Sequence, residues 1–241
     1  VTTEQTGAGP LGADEQKISF DRYASAELAL PDTRPEALHE LMSEFNRFMM
    51  VYRFGMAEMS TKVSILAEEL SHRAAGNPIE HVSTRLKTPA SLTAKAQRVG
   101  CPLTFDALRD RIRDIAGIRI VCSFTSDVYT VAGMLTRQPD VTLVETKDYI
   151  AAPKPNGYRS LHLIVEIPVF MSERVISVPV EVQLRTVAMD FWASLEHKIY
   201  YKHGQDIPAP LRAELMATAD DAARLDARME RLHQQIHGPR Q

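Results

Sequence analysis

The chain has 241 residues, 44% of them hydrophobic, which is enough to bury a core in one large domain with helical extensions and excludes disorder of the whole. With 28 basic and 31 acidic side chains the formal charge is −3, so no global field holds duplex DNA, and any phosphate chemistry must rest on local clusters. Cys101 and Cys122 are the only cysteines and form no CxxC pair, which fits reduced thiols in a cytoplasmic protein; no apolar run reaches the roughly 18 residues that span a bilayer.

Residues 1–32 read as a flexible tail, with a short helical turn around Ile18–Tyr23 and none of the basic-then-apolar order of a signal peptide. Thr33, Pro35 and Glu36 make a capping-box start. From there Leu38, Leu41, Phe45, Phe48, Tyr52, Met56, Met59, Val63, Leu66 and Leu70 recur at spacings of three and four, predicting a long amphipathic helix that stops at Gly76-Asn77-Pro78.

The segment His81–Pro102 has no acidic residue but carries Arg85, Lys87, Lys95 and Arg98. Arg85 and Lys87 share a face if extended, and Thr88-Pro89 opens a helix that places Ser91, Lys95 and Arg98 on one stripe. Cations beside a helix N-terminus suit several phosphate oxygens at once; the alternative is a solvated basic face that binds nothing.

The period then changes to two. Residues 117–124, 141–150, 158–167 and 175–184 are alternating, β-branched runs, with a helix predicted at Asp127–Arg137, giving an α+β or α/β layer of four or five strands. RDIAGIRIV puts Asp114 just ahead of the first run and Arg119 within it, where an arginine needs a partner. In KDYIAAPKPNGYRSLH, Pro153, Pro155, Asn156 and Gly157 form a loop, after which Tyr158, Ser160 and His162 share a face. Tyr158 could stack on a base with Lys147 and Lys154 near its phosphates, but propensity alone favours a place at the strand edge of the core.

In VPVEVQLRT, Glu181, Gln183 and Arg185 oppose Val180, Val182 and Leu184. Glu181 alone fits the wet face of any strand. Paired with Asp114 from another strand end, next to cations, it fits a magnesium site for phosphoryl transfer, whereas the His and Cys positions lack zinc spacing. A last helix follows Pro208 and Pro210, with Leu211, Leu215, Ala222, Leu225, Met229, Leu232 and Ile236 on a heptad-like seam. Such seams pack on the chain's own core or serve self-association.

Taken together, STRLKTPASLTAKAQRVG, RDIAGIRIVCSF, KDYIAAPKPNGYRSLHLIVEIPVF and VEVQLRTVAMDFWASLEHKIYYK resemble the signature stretches of the RelA/SpoT synthetase domain, in the family's order over residues 80–203. The resemblance is to its single-domain form, the small alarmone synthetases. It implies an α+β, nucleotidyltransferase-like fold, with a mixed sheet of about five strands flanked by helices, a synthetase domain at 33–205 and a packing or oligomerisation helix at 206–241. It implies transfer of the β,γ-pyrophosphate of magnesium-bound ATP to the 3′-hydroxyl of GDP or GTP, releasing AMP.

In that comparison Arg85 and Arg119 look like the pair that sandwich adenine, and Lys87, Ser91, Lys95 and Arg98 like the ATP phosphate cradle. Asp114 and Glu181 look like the Mg²⁺ ligands, Glu181 doubling as base for the acceptor hydroxyl. Tyr158 looks like the guanine-stacking residue, with Lys147, Lys154, Asn156, His162 and Gln183 as supporting contacts to GDP or GTP. The resemblance also implies a homotetramer and, with no HD hydrolase motif in the chain, synthesis without degradation.

His81-Val82-Ser83-Thr84 stands where one branch of the small synthetases, RelQ, carries a Phe and a Gly that build a central alarmone pocket, so activation by pppGpp is not expected. Two rivals share much of the site: a toxin that pyrophosphorylates the tRNA 3′ end, against which the charge of −3 argues, and a non-catalytic nucleotide- or RNA-binding regulator, which has no need of a matched carboxylate pair. Nothing in the sequence indicates single-stranded RNA or a membrane as partner.

Overall fold

The structure, a computed structural model, describes residues 35–72, 76–203 and 208–238. The tail at 1–32, its turn at Ile18–Tyr23, the Thr33 cap and the boundary at 205–206 lie outside the described residues.

The long helix α1 (Pro35–Ser71) buries Phe48, Tyr52, Met59, Val63 and Leu70, as its three-and-four spacing predicts, while Leu38 near its start is exposed. It lies across one face of a five-stranded sheet formed by β1 (Ile79–Leu86), β2 (Ala116–Cys122), β3 (Thr142–Asp148), β4 (Leu161–Phe170) and β5 (Val175–Thr186). At the crossing, a Cβ on Gly55 would come within 2.6 Å of the Val178 side chain, so glycine is what lets helix and strand touch.

The strand order is β1-β2-β5-β4-β3, with β2 and β5 parallel and every other pair antiparallel, so the sheet is mixed as expected. Alternation decides its two faces. Ile118, Ile120, Val180, Val182, Leu184, Leu163 and Val165 turn toward α1 and are buried. Each such side chain contributes about 1.5–3 kcal/mol relative to exposure.

The opposite face carries two polar rows. In one, Ser83, Arg119, Gln183, His162 and Lys147 stand opposite each other across all five strands; in the next, Arg85, Gly117, Glu181 and Ile164 do so. β1, read in the sequence only as a basic segment, is a largely exposed edge strand in which Ile79 is buried.

α2 (Pro89–Arg98) begins where Thr88-Pro89 predicts: the Thr88 hydroxyl accepts from the Ser91 backbone N–H, while Leu92 and Ala96 anchor the other side in the core. α4 (Thr125–Thr136) matches the helix expected at Asp127–Arg137. Two further helices were not foreseen: α3 (Phe105–Arg111), capped by Thr104, and α5 (Val187–His203), which continues directly from β5.

α6 (Ala209–His237) buries only part of its predicted seam. Ala219 and Ala222 pack with Trp192 of α5, whose indole N–H donates to the carbonyl of the buried Leu215, but Leu225, Met229, Leu232 and Ile236 of that seam are exposed. The inward side is lined instead by Asp226, which accepts from the Thr186 hydroxyl at 2.6 Å, and Glu230, which accepts from the Ser126 N–H. Most of the seam therefore does not pack on the chain's own core.

Candidate active site

The polar face becomes a site because strands of opposite direction deliver different chemistry to it. On one side, the chain entering β2 presents Asp114, and α2 presents Lys95. Lys95 Nζ lies 2.5 Å and Lys87 Nζ 3.0 Å from the same oxygen, Asp114 Oδ2. The other oxygen, Oδ1, is buried with no hydrogen-bond partner. Burial alone would raise the Asp114 pKa, but the bonds from Lys95 and Lys87, with their charges, outweigh it and hold the carboxyl below its ordinary value.

Arg85, exposed on β1, and Arg98, exposed at the end of α2, stand outside this triad. Ser91 is used locally, its hydroxyl accepting from Thr88 at 2.9 Å. Arg119 faces the same side from β2 and pairs with Asp190 of α5 at 3.3 Å.

On the other side sits Glu181, directly across from Gly117, whose missing side chain leaves the sheet bare between Arg85 and Glu181. His162 Nδ1 meets Glu181 Oε1 at 3.1 Å, and the Gln183 amide donates to Oε2 at 2.8 Å. Burial pushes the Glu181 pKa up, yet the His162 and Gln183 bonds prevail over burial and over the opposing charge of Asp114, and the carboxyl is held below its ordinary value.

Tyr158 closes this side. Its hydroxyl bonds His162 Nε2 at 2.8 Å, and its ring forms an aromatic group with Tyr149 and His162. Lys154 Nζ sits 4.7 Å from the Tyr158 ring centre and 4.5 Å from that of Tyr149. Gly157, at φ +88°, turns the loop into Tyr158; a Cβ there would meet Ala219 of α6 at 2.6 Å. The regular strand starts only at Leu161. Ser160 keeps the predicted face but is fully buried, its hydroxyl donating to Leu184 O.

Two expected acceptor-side residues are engaged elsewhere. Lys147 is exposed on the edge strand and pairs with Glu145 at 3.1 Å, and the Asn156 amide donates to Glu196 at 3.0 Å while its oxygen accepts from the Tyr158 N–H. The sequence reading missed Tyr149, Glu196, Asp190 and the centrality of Arg185. The only available signal was an arginine on a buried strand, which demands an acidic partner, with Asp190 the next acid downstream.

Comparison with known proteins agrees with this geometry. A family model described as a region found in RelA / SpoT proteins matches residues 84–206, which contain every element of the two carboxylate sites. The chain belongs to the RelA/SpoT family. Among its relatives, the GTP pyrophosphokinase YwaC of Bacillus subtilis is 47% identical over 197 residues, covering 82% of this chain and 94% of that one. The crystal structure of small alarmone synthetase 2 from Bacillus subtilis superposes with a TM-score of 0.72 at 46% identity, covering 80% of this chain and 99% of that one. Small alarmone synthetase 1 of the same organism, solved bound to its product pppGpp, gives a TM-score of 0.75 at 35% identity over 80% of this chain and 98% of that one. The match to small alarmone synthetases, at 80% of the chain, is longer than the family region. No described helix of this RelA/SpoT member is long and apolar enough to cross a membrane.

Proposed function

We propose that this protein transfers the β,γ-pyrophosphate of ATP to the 3′-hydroxyl of GDP or GTP, releasing AMP. The observation that carries the reading is the pair of charged carboxylates, Asp114 and Glu181, on one sheet face between a lysine cluster and an aromatic cluster. Lys87, Ser91, Lys95 and Arg98 cradle the ATP phosphates, and Arg85 and Arg119 flank the adenine. The acceptor guanine stacks on Tyr158, with Lys147, Lys154 and Asn156 on its phosphate and base side.

A ribose hydroxyl is a weak nucleophile at neutral pH, so the site must orient it in line and take its proton. Glu181 is the acceptor for that proton, because it is ionised and its two oxygens are fixed by His162 and Gln183. The lysines reduce repulsion between the incoming oxygen and the triphosphate.

Asp114 and Glu181 also fit a magnesium ion: the buried Oδ1 of Asp114, which has no hydrogen-bond partner, is a hard oxygen ligand. When bound, the ion supplies charge neutralisation at the phosphates. The exposed α6 seam suits assembly of several copies, of which a homotetramer is the expected form, in the cytoplasm.

The test is direct. Protein with Mg²⁺, ATP and GDP is to be assayed for AMP and ppGpp, beside a reaction in which tRNA replaces GDP. Equal amounts of AMP and ppGpp are expected; labelled tRNA without guanosine product would establish the tRNA-modifying activity instead.

A further inference from the structure

The two donors that fix Glu181 lead back to one group, and the geometry points to Arg185 as the positioning residue that orients Glu181 through two separate hydrogen-bonded arms. Arg185 follows Glu181 and Gln183 on the same face of β5, and its side chain is only 5% exposed. Its guanidinium is fully engaged. Nη1 donates to Asp190 Oδ1 at 3.1 Å, Nε lies 3.4 Å from the Ser160 hydroxyl, and Nη2 donates to both the Tyr158 hydroxyl and Gln183 Oε1. A planar fork held on all three nitrogens has a fixed orientation and transmits it.

Along the first arm, ionised Glu181 can only accept, so His162 Nδ1 carries a proton. At the other ring nitrogen, Nε2 meets the Tyr158 hydroxyl at 2.8 Å, and the Tyr158 oxygen accepts from Arg185 Nη2. Along the second arm, Arg185 can only donate, so Gln183 must turn its carbonyl oxygen toward Arg185 and its amide N–H toward Glu181. With Arg185 in place, flipping the amide would break both contacts at once, so the guanidinium adds to the hold of Glu181 on the Gln183 orientation. The guanidinium carbon also lies 5.0 Å from the Tyr158 ring centre, opposite in role to Lys154, so the surface proposed to stack the acceptor base and the group proposed to deprotonate its ribose share one anchor.

This rests on Glu181 as the proton acceptor, and the experiment separates the two claims. Arg185→Lys keeps the charge but loses the fork; it also costs Asp190 a partner, so folding is checked by circular dichroism and thermal melting. Tyr158→Phe cuts the first arm while leaving Arg185, Asp190 and the ring in place. The expected result is a fall in kcat of about 10- to 100-fold for Arg185→Lys, the usual cost of losing an outer partner of an active-site ligand, with the KM for ATP unchanged. Tyr158→Phe should lower kcat less, with the KM for GDP within about two-fold because the ring remains, and its effect should vanish when added to Arg185→Lys, since both act on one arm.

A second readout needs no turnover. In metal-free protein the imidazole ¹⁵N signal of His162 Nε2, assigned by its loss in His162→Gln, should shift in Tyr158→Phe, which removes the hydroxyl from that nitrogen, while Nδ1 keeps its bond to Glu181. Unchanged shifts in Tyr158→Phe, or losses that multiply in the double variant, overturn the proposal; so does a folded Arg185→Lys with normal kcat. If Arg185→Lys does not fold, Tyr158→Phe decides. Glu181→Gln run alongside distinguishes the failures: wild-type rates there remove the base itself, whereas an inactive Glu181→Gln beside an indifferent Tyr158→Phe removes only the role of Arg185.

Discussion

The two carboxylates of the site are held by opposite means. Asp114 leans on two lysines, at one oxygen only, and lysine ammonium groups are mobile point charges that a triphosphate can draw away. Glu181 is gripped at both oxygens by an imidazole and an amide that are themselves pinned from behind. The first arrangement is exchangeable and the second preorganised. The difference teaches which half of the site should reorganise when substrate enters: the lysines swing onto phosphate and free Asp114, while Glu181 stays where the sheet puts it.

The sharpest way to break that contrast is Glu181→Gln, which removes the fixed charge but keeps the shape. Turnover should fall by about 100- to 10,000-fold, the usual worth of a general base, with the melting temperature close to wild type. Normal rates would take Glu181 out of the chemistry. On the exchangeable side Lys95→Met should act chiefly on binding, raising the KM for ATP about 10-fold, or about 1.4 kcal/mol for one charge-assisted contact, with a smaller change in kcat. A kcat effect with constant KM would place Lys95 on the preorganised side instead.

Gly157→Ala probes the loop that carries Tyr158. The positive φ costs about 1–2 kcal/mol for any L side chain, and the contact with Ala219 adds to it. Thermal melting should show that loss, and the KM for GDP should rise while that for ATP does not.

The smallest effect is on acid stability. Both carboxyls sit below their ordinary pKa in the folded chain, so each contributes stability that is full above its unfolded pKa and lost as the pH falls through the folded one. The melting temperature should therefore drop on acidification below the ordinary carboxylate range. Asp114→Asn should flatten that drop; an unaltered acid profile in this variant would mean that the lysine pairing contributes nothing.

Local signals made much of this readable from the sequence. Thr88-Pro89 announced α2, and helical spacing then put Ser91, Lys95 and Arg98 on one stripe; strict alternation on β5 separated Glu181 and Gln183 from Val180 and Val182. The α1 stripe likewise reads directly as buried core. What resisted was everything set by long-range pairing. That Glu181 lies opposite Gly117 follows from β2 and β5 running parallel, which no local pattern encodes.

The same holds for Arg185, an apparent member of a wet face whose partners Tyr158, Ser160 and Asp190 come from other elements. Lys147 shows a related effect: alternation gave its face correctly, while the edge position of β3, which no local pattern encodes, exposes it beside Glu145. On α6 the heptad seam was visible, yet the side that meets the sheet is chosen by Asp226 and Glu230 reaching Thr186 and Ser126, so the apolar seam faces outward.

The most direct test of a shared ion between the two carboxylates is calorimetric binding of a non-hydrolysable ATP analogue with and without Mg²⁺. Wild-type protein should bind it more tightly with the metal, Asp114→Asn and Glu181→Gln should each lose most of that gain, and the double variant should lose no more. Full retention of the metal-dependent gain in either single variant would contradict the account.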